Sequence, residues 1–404
     1  MSVNAVNTTI GLIVTMGADC VFQLLSMLQK YCPDLPIILV ANGCSDEQVD
    51  RLKRAVSPIT RVEHLPENRG GSGGFAFGMN CFLKDYPAVD NLWLLDDDAV
   101  VNAMTLPQLL QCADQLDADH VPWGACGSAI ETAENPGFLT ECGAFIKRFS
   151  GRFSSAYANF PVRDLPKTPF EVEYSPATSL LISRRALAKT GTFNPNIFIH
   201  FDDIDWCFRC RKKGFRIFAA PGSIISHPSR ISKPATTVRY YDAANVIWFY
   251  RRHLPALTPF ALAAPFFRMC YFYAHGFHKT AQLYRQGILD GIKGEQRLKP
   301  DALEWEQYKQ PDTPNLSNPV CILFSERHLK KCMQLNIAPP SRMILMPRSK
   351  IRRLVKNFLI YAQMWYKRYN TVIVDDDFKS FFTVPFFGKR TIYWDFEQNS
   401  IKEK

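Results

Sequence analysis

The sequence contains no apolar run of the about 18 residues that a membrane-spanning helix requires. The nearest stretch, residues 254–267, is shorter and contains three prolines, so we expect a protein that can lie on a membrane but does not cross it. The first residues do not have the pattern of a secretory leader, and the 12 cysteines are scattered along 404 residues. This cysteine usage predicts a reducing compartment and not a disulfide framework.

Several ligand-binding motifs are also missing. No glycine-rich stretch ends in Gly-Lys-Ser or Gly-Lys-Thr, as a P-loop does, and none has the GxGxxG spacing of a dinucleotide site. The single CxxC, Cys207–Cys210, has no second pair at zinc-finger spacing, which argues against a zinc or redox site. The net charge of +10 indicates anionic partners, but no arginine-rich repeat or nucleic-acid motif accompanies it. Nucleotide phosphates and an acidic membrane face are therefore favoured over nucleic acid.

The composition is that of a folded protein, with 47% hydrophobic and 21% charged residues, and the length allows two or three domains. The first 65 residues alternate between strand and helix patterns. Strands are predicted at residues 7–15, 36–40 and 61–65, and helices at 20–31 and 46–56, the second capped by Ser45. Later strand patterns cover residues 123–131, 140–147, 171–183, 215–219 and 224–227. The initial alternation predicts an open parallel sheet with helices on both faces, in which ligands bind at the carboxyl ends of the strands.

A glycine-rich stretch follows the third strand, in the sequence Asn68-Arg69-Gly70-Gly71-Ser72-Gly73-Gly74-Phe75. We interpret it as a loop that precedes a helix ending near Phe82. Glycines allow a backbone to approach a ligand, and the N–H groups at a helix start bind anions. A flexible connection is the alternative, but the position of the stretch, between a strand and a helix and ahead of an acidic triplet, favours a ligand-binding role.

Three carboxylates, Asp96, Asp97 and Asp98, follow the buried strand pattern of residues 92–95. Adjacent carboxylates repel one another, and a divalent cation such as Mg²⁺ or Mn²⁺ would neutralise them, since hard cations prefer oxygen ligands. In an extended chain Asp96 and Asp98 point to one side and Asp97 to the other. A solvated acidic turn is the alternative for such a triplet taken alone.

A second acidic group, Asp202, Asp203 and Asp205 with Trp206 beside them, opens a predicted helix. Carboxylates at a helix start can be simple caps. Their number and aromatic surroundings exceed what a cap needs, and partial burial would raise a carboxylate pKa towards the range of a general base. The last predicted strand ends in His227, and a lone histidine there is typical of a hydrogen-bonded structural residue.

Together, these motifs resemble the family-2 glycosyltransferases, which have the GT-A fold. The resemblance covers residues 8–300, is greatest to the bacterial galactofuranosyl- and rhamnosyltransferase-like branch, and depends on the order of the four motifs. It implies an α/β fold with a Rossmann-like mixed sheet. The composition after residue 235 adds a helical subdomain to this prediction, and the pattern after residue 319 adds a small C-terminal α/β appendage, which lies outside the resemblance. By this resemblance Asp96, Asp98 and His227 would hold Mn²⁺ or Mg²⁺, and Asp203 would be the catalytic base.

The resemblance also assigns the remaining site residues. Asp202, Asp205 and Trp206 would lie in the acceptor region near the base. The nucleotide-sugar donor would contact Thr15, Asn42, Asn68, Arg69, Gly70, Gly71, Gly73, Gly74 and Asp97. One position departs from the family pattern, because many members have an aspartate before this asparagine, where this chain has Ala41.

The implied activity is metal-dependent, inverting transfer of a sugar from a nucleotide diphosphate to a hydroxyl of a lipid-linked or growing surface polysaccharide. UDP-galactofuranose is the favoured donor and dTDP-rhamnose the next, with a polyprenyl-diphosphate-linked glycan as the acceptor. The implied location is cytoplasmic, peripheral on the inner face of the bacterial cytoplasmic membrane. Two other hypotheses stay open: a non-catalytic sugar-nucleotide-binding scaffold of a polysaccharide assembly complex and, from the basic charge, a nucleic-acid enzyme. A homo-oligomer or an assembly-complex partner is compatible with each.

The chain is predicted to comprise a GT-A catalytic domain, a helical subdomain, a linker and a small α/β appendage, at residues 1–235, 236–306, 307–319 and 320–404. The helical subdomain mixes aromatic residues with arginines, which suits either an anionic membrane surface or packing on the sheet. The appendage contains a basic helix pattern at residues 350–369 and a second acidic triplet, Asp375–Asp377, which we interpret as a solvated strand end.

Overall fold

The computed structural model describes residues 8–133, 136–148, 152–228, 238–274 and 278–294, together with the backbone of five strands between residues 319 and 403. The chain divides into two compact units, which are described separately. The first comprises Met1–Arg268 and Gln282–Trp305, and the second comprises Met269–Ala281 and Glu306–Lys404. The four domains inferred from the sequence stay a prediction.

The first part of the first unit alternates strands and helices, as the sequence predicts. The helix that follows Ser45 begins at a reciprocal cap. The Ser45 hydroxyl accepts from the Gln48 N–H at 3.3 Å, and the Gln48 side chain accepts from the Ser45 N–H at 2.9 Å. This cap confirms the predicted helix start. The elements are β1 (Thr9–Thr15), α1 (Cys20–Tyr31), β2 (Ile37–Asn42), α2 (Asp46–Ala55), β3 (Thr60–Leu65), α3 (Gly70–Asp85) and β4 (Asn91–Asp96).

The middle of the chain is less regular, and three strand predictions are wrong there. Residues 140–147, predicted as one strand, belong to two strands, because Gly143 between them has φ +69° and the second strand pairs in a separate two-stranded sheet. Residues 171–183 form two strands, because the segment between them leaves the sheet and Tyr174 pairs with Ala144. Residues 216–227 form one strand with a register shift between Ala220 and Ile224, where two were predicted. The elements are α4 (Thr105–Ala118), β5 (Trp123–Thr132), β6 (Leu139–Glu141), β7 (Ala144–Lys147), β8 (Arg152–Ser155), β9 (Phe170–Val172), β10 (Ser179–Ser183), α5 (Arg184–Thr190), α6 (Asp202–Lys212) and β11 (Arg216–His227).

One nine-stranded sheet organises the first unit, with the strand order β3-β2-β1-β4-β10-β5-β11-β9 and β6 paired to β5. β3, β2, β1 and β4 are parallel, whereas β10 runs antiparallel to both of its neighbours, β4 and β5. The parallel arrangement that strand and helix alternation predicted therefore holds for these four strands and not for the sheet as a whole. The mixed sheet that the resemblance implies is confirmed.

Three helices follow the sheet strands: α7 (Val238–His253), α8 (Thr258–Ala274) and α9 (His278–Lys293). Four of the five aromatic residues of α7 are buried, Phe249 and Tyr250 at 0% exposure, so packing accounts for these four, while Trp248 is half-buried. α8 differs, because Phe266 and Phe267 are 49% and 67% exposed. Within the described part of the chain, no helix combines the length and the apolar character needed to cross a membrane.

Strand alternation gives the sheet two buried faces. On β4, Leu92 and Leu94 pack on the side of α3, α6 and α7, whereas Trp93 and Leu95 pack on the side of α1, α2 and α4. All four side chains are 0% exposed. Burying apolar side chains on both faces is the main stabilising term of such a layered fold. The polar side chains of β4, Asn91 and Asp96, consequently lie at its two ends.

The glycine-rich stretch belongs to α3 and not to a loop, which corrects the sequence interpretation. α3 begins at Gly70, so Gly73 and Gly74 lie in its first turns. A Cβ atom at Gly74 would lie 2.4 Å from Val14 Cγ1 on β1, and one at Gly73 would lie 2.5 Å from Arg69 Cβ. Gly74 therefore lets α3 pack closely on β1, and Gly73 leaves room for Arg69, both at the expense of the helix propensity that other residues would supply.

Gly70 and Gly71 form a matched pair for a stability test. Gly70 has φ +69°, and a Cβ there would lie 2.1 Å from the Phe198 carbonyl oxygen, whereas a Cβ at Gly71 meets no atom within 4 Å. We expect Gly70→Ala to lower the free energy of unfolding by about 2–4 kcal/mol, through backbone strain and overpacking. Gly71→Ala should leave it unchanged or raise it by up to about 1 kcal/mol, since alanine favours helix.

Urea denaturation of the two variants and of the natural protein provides the measurement. Equal effects of the two substitutions would contradict the close approach between Gly70 and the Phe198 carbonyl.

The second unit contains a five-stranded sheet in the order β13-β12-β14-β15-β16. Its strands are β12 (Pro319–Leu323), β13 (Met343–Leu345), β14 (Thr371–Asp375), β15 (Arg390–Asp395) and β16 (Ser400–Glu403). Only β16 among these is antiparallel to its neighbour. Asp375 ends β14, while the basic helix predicted at residues 350–369, the linker before Pro319 and the rest of the second acidic triplet lie outside the described residues.

Candidate functional site

Three strand ends meet at one edge of the large sheet. β1 and β4 are parallel neighbours, and β11 has the same direction, because it is parallel to β5 and both β4 and β5 are antiparallel to β10. The carboxyl-terminal residues of these strands, Thr15, Asp96 and His227, therefore lie at the same edge. This is the edge at which open α/β sheets bind their ligands.

The Asp triplet divides as strand alternation predicts. The Thr15 hydroxyl donates to Asp97 Oδ2 at 2.7 Å, so Asp97 faces β1. Asp96 and Asp98 face His227, whose Nε2 lies 2.9 Å from Asp98 Oδ1 and 3.9 Å from Asp96 Oδ2. Thr15 is 1% exposed, and its hydrogen bond orients the Asp97 side chain.

A backbone bridge between two distant segments brings His227 to the triplet. Val100 and Ser226 exchange two hydrogen bonds, of 2.8 Å and 3.0 Å. Two side chains just before and at the start of α4 also donate to the Ile224 carbonyl: that of Asn102 at 3.1 Å and that of Thr105 at 3.0 Å. Because His227 follows Ser226 directly and Asp98 lies just before Val100, this bridge determines how close the imidazole comes to the carboxylates.

The side chains of Asp96, Asp98 and His227 fit a divalent cation. One ligand atom from each residue lies within 4.8 Å of the other two. Nε2 of His227 is buried and has no hydrogen-bond partner among the described residues, although Asp98 is close. Buried polar atoms are normally hydrogen-bonded, so an imidazole nitrogen that faces two carboxylates without such a bond is the arrangement expected of a metal ligand.

The negative charge at this edge affects two neighbouring thiols. Burial, and then the charges of Asp97 and Asp98, raise the pKa of Cys20 above its ordinary value. Burial and then Asp97 raise the pKa of Cys44 in the same way. Such effects are expected of clustered like charges, whose repulsion a bound cation relieves.

The acidic pair opens α6 near the triplet. Asp203 accepts two backbone hydrogen bonds, from Ala177 to Oδ2 at 3.3 Å and from Ile204 to Oδ1 at 2.7 Å. Burial, and then the charge of Asp203, raise the pKa of Asp202 well above its usual range, and Asp96 acts in the same direction. The raised carboxylate pKa that the sequence led us to expect in this group is therefore found at Asp202.

Asp205 and Trp206 point into the core, and this placement does not support their predicted part in the acceptor region. Asp205 is 0% exposed; it accepts from Arg209 Nε and lies against His253 Nε2, each at 2.7 Å. Burial raises the pKa of Asp205, but the hydrogen bond with His253 and the charge of Arg209 outweigh it and hold that pKa below its ordinary value. The Trp206 indole donates to the Gly191 carbonyl at 2.8 Å. Both side chains anchor α6.

Asn42 and Asn68 fix the start of α3. Asn42 is 1% exposed, its Oδ1 accepts from the Arg69 N–H at 2.9 Å, and its Nδ2 donates to the Gly70 carbonyl at 2.9 Å. Asn68 Oδ1 accepts from the Gly70 N–H at 2.8 Å. Asn68 and Arg69 are exposed, in contrast to Asn42, and open space lies over Gly71. The predicted donor contacts thus separate into buried residues that shape the edge and residues that a ligand can reach.

Three residues that the sequence analysis missed support the acidic pair: His200, Asp242 and Asn245. His200 Nδ1 lies 2.8 Å from Asp242 Oδ1, and Asn245 donates to carbonyl groups just before Asp202. Asp242 and Asn245 are three residues apart and so share a helix face, which the sequence alone could have indicated. Nothing in the sequence indicates that this face meets residue 200.

The sequence profile described as "Glycosyltransferase like family 2" matches residues 16–243, more than half of the chain. No curated protein matches the chain. Among solved structures, the chain is similar to one described as the crystal structure of GalNAc-T7 with UDP, GalNAc and Mn²⁺, with 14% identity and a TM-score of 0.45, over 61% of this chain and 54% of that one. The chain thus spans about half the length of that structure.

The matched region contains the Asp triplet, the acidic pair and His227, which is the whole of the clustered site. The chain therefore belongs to the glycosyltransferase like family 2.

Proposed function

We propose that the chain is a metal-dependent, inverting glycosyltransferase that moves a sugar from a nucleotide-diphosphate donor to an acceptor hydroxyl. The observation that carries this proposal is the convergence of Asp96, Asp98 and His227 within 4.8 Å at the ligand-binding edge of the sheet. The neighbouring acidic pair at the start of α6 supports it, because such a reaction needs a proton acceptor as well.

Asp96, Asp98 and His227 would hold Mn²⁺ or Mg²⁺. When bound, the cation stabilises the negative charge that develops on the diphosphate leaving group. Carboxylate oxygens suit both ions and an imidazole nitrogen suits transition metals, so we place Mn²⁺ first. The chain keeps the ligands in position, with Asp97 turned away to Thr15.

Asp203 would accept the proton of the attacking acceptor hydroxyl. Its two backbone hydrogen bonds, from Ala177 and Ile204, fix the orientation of the carboxylate. Attack from the face opposite the leaving group, in one displacement, inverts the configuration of the sugar carbon. A retaining double displacement would instead need a carboxylate nucleophile beneath that carbon.

For the donor we place UDP-galactofuranose first and dTDP-rhamnose next, supported by the resemblance of the glycine-rich stretch and of the acidic helix start to that branch. For the acceptor we place a polyprenyl-diphosphate-linked or growing surface polysaccharide at the inner face of the cytoplasmic membrane. The exposed rings of Phe266 and Phe267, with Arg251 and Arg252 also exposed at the end of α7, support contact with an anionic membrane surface.

A panel of nucleotide sugars tests the proposed function. We expect Mn²⁺ together with the matching donor to raise the Tm, because a ligand of the native state at one hundred times its Kd stabilises by about 2.7 kcal/mol. Thermal unfolding is measured with each nucleotide sugar, in Mn²⁺ and in EDTA. The donor that gives the largest Mn²⁺-dependent shift is then assayed for release of its nucleotide.

Uridine and thymidine diphosphates without sugars serve as controls that separate binding of the nucleotide from recognition of the sugar. Shifts that are the same in Mn²⁺ and EDTA for every compound would contradict a metal-dependent donor site.

A further inference from the structure

The segment before α6, residues 197–201, has a backbone that non-glycine residues rarely adopt. We call this segment the pre-helix turn. Phe198, His200 and Phe201 all have positive φ, of 65°, 62° and 71°. Such conformations are unfavourable for these residue types and persist only where the surroundings hold them. Groups outside the pre-helix turn must therefore stabilise it.

Asn245 of α7 meets three carbonyl groups of the pre-helix turn. Its Nδ2 amide lies 3.1 Å from the oxygen of Ile197, 2.8 Å from that of Ile199 and 3.1 Å from that of His200. The side chain is 1% exposed, so the amide is shielded from solvent. Buried carbonyl groups need such donors, and here a single side chain provides for three of them.

Further contacts hold the pre-helix turn on two sides. The Phe198 ring stacks on Tyr241 of α7, with centroids 4.9 Å apart and planes at 18°. The Phe198 carbonyl accepts from the Ser72 N–H of α3 at 3.0 Å. His200 Nδ1 lies 2.8 Å from Asp242 Oδ1, again on α7. α7 therefore supplies most of the side chains that hold this segment.

The pre-helix turn leads directly into the acidic pair, Asp202 and Asp203. Ala177 donates to Asp203, and the next residue, Thr178, accepts from the Asp96 N–H at 3.2 Å. The contact of the acidic pair and the contact of the metal-site strand thus lie on adjacent residues of the chain. A displacement of the pre-helix turn would change the distance between Asp203 and Asp96.

We propose that Asn245 is a positioning residue, which holds the pre-helix turn and thereby sets Asp202 and Asp203 against the metal cluster. Asn245 lies outside residues 16–243, the part of the chain that matches the family profile. The inference rests on the proposed function for its catalytic consequence. Whether Asn245 holds the pre-helix turn does not depend on that function, and it can be measured without turnover.

Asn245→Asp tests the proposal, because it keeps the size of the side chain and removes the amide donors. In the full-length protein without metal, we expect amide hydrogen exchange in residues 196–206 to become about tenfold faster, as expected for local opening. The Kd for Mn²⁺ alone should stay within twofold. The kcat for nucleotide release from the best donor of the panel should fall by about 10- to 100-fold with little change in KM, because a small misplacement of the base costs rate and not donor binding.

Two further variants guard against a general loss of folding. Ser183→Ala removes a buried cap of α5, whose hydroxyl accepts from the Ala186 N–H at 3.2 Å, and it lies outside the proposed site. It should lower the Tm without changing exchange in residues 196–206 or the kcat. His200→Asn removes the contact with Asp242 and keeps a residue type that tolerates positive φ, so it should reproduce the Asn245→Asp effects in weaker form.

Unchanged exchange in residues 196–206 in Asn245→Asp would overturn the proposal, as would a loss of Mn²⁺ affinity equal to the loss of kcat. If the natural protein turned over no nucleotide sugar, the proposed function would fail, and the exchange data would still decide whether Asn245 holds the pre-helix turn.

Discussion

Asp98→Asn is expected to reduce turnover by about 10³-fold, because the bound cation supplies several kcal/mol of charge stabilisation and each 1.4 kcal/mol is a factor of ten. Of the two carboxylates, Asp98 lies closer to His227, at 2.9 Å, and the substitution removes the charge of one of the three clustered ligands. We also expect the Mn²⁺-dependent rise in Tm to disappear. Mn²⁺ binding is measured by isothermal titration calorimetry, and turnover is measured as nucleotide release.

The matched control is Asp119→Asn, the same chemical change at an exposed position directly after α4. It should leave both measurements unchanged. His227→Ala should weaken Mn²⁺ binding in the same direction as Asp98→Asn, since it removes the nitrogen ligand from the same cluster. Full Mn²⁺ affinity in both variants would refute the proposed metal site.

Asp203→Asn is expected to lower kcat by about 10²- to 10⁴-fold, the usual contribution of a positioned general base. The amide keeps the shape of the carboxylate but does not accept the proton of the acceptor hydroxyl. Binding of Mn²⁺ and of the donor should persist, because Asp203 is not one of the three clustered ligands. The transfer rate and the Mn²⁺-dependent rise in Tm are measured on the same preparation of the variant.

Asp205→Asn gives the contrasting result on the same helix. Asp205 is buried against Arg209 and His253. Removing its negative charge leaves these two side chains without a carboxylate partner, so the substitution should chiefly reduce stability. Asp203→Asn should lower the Tm less than Asp205→Asn, because it loses only one of two backbone hydrogen bonds, the one accepted by the oxygen that becomes an amide nitrogen. An Asp203→Asn protein with the same weak turnover as the natural one would favour the scaffold hypothesis, in which the chain binds sugar nucleotides without catalysing transfer.

The first strands and helices and the position of the triplet could be predicted because their signals are local. A run of apolar residues that ends in carboxylates defines a strand and its end, and alternation then separates Asp97 from Asp96 and Asp98. The capping box at Ser45 is equally local, since both of its hydrogen bonds join residues three apart. Local signals of this kind do not depend on knowing which strands are neighbours.

The glycine-rich stretch shows where local signals mislead. Glycine disfavours helix, so four glycines in five residues predict a loop. The close approach of α3 to Val14 reverses this, because any side chain at Gly74 would overlap the sheet. Tertiary packing overrides helix propensity here. Of the four glycines, the same packing leaves only Gly71 beside open space.

The amino-acid sequence by itself determined which residues end the strands, which ones open α6, and hence the chemical types available to the site. Tertiary structure decided which of them meet. The bridge between Val100 and Ser226 places His227 beside Asp98, and the burial of α6 turns Asp205 inward while its neighbour Asp203 stays near the triplet. The physical reason is that strand and helix periods act over a few residues, whereas these contacts join segments far apart in the chain, and only packing of the complete sheet brings them within hydrogen-bond distance.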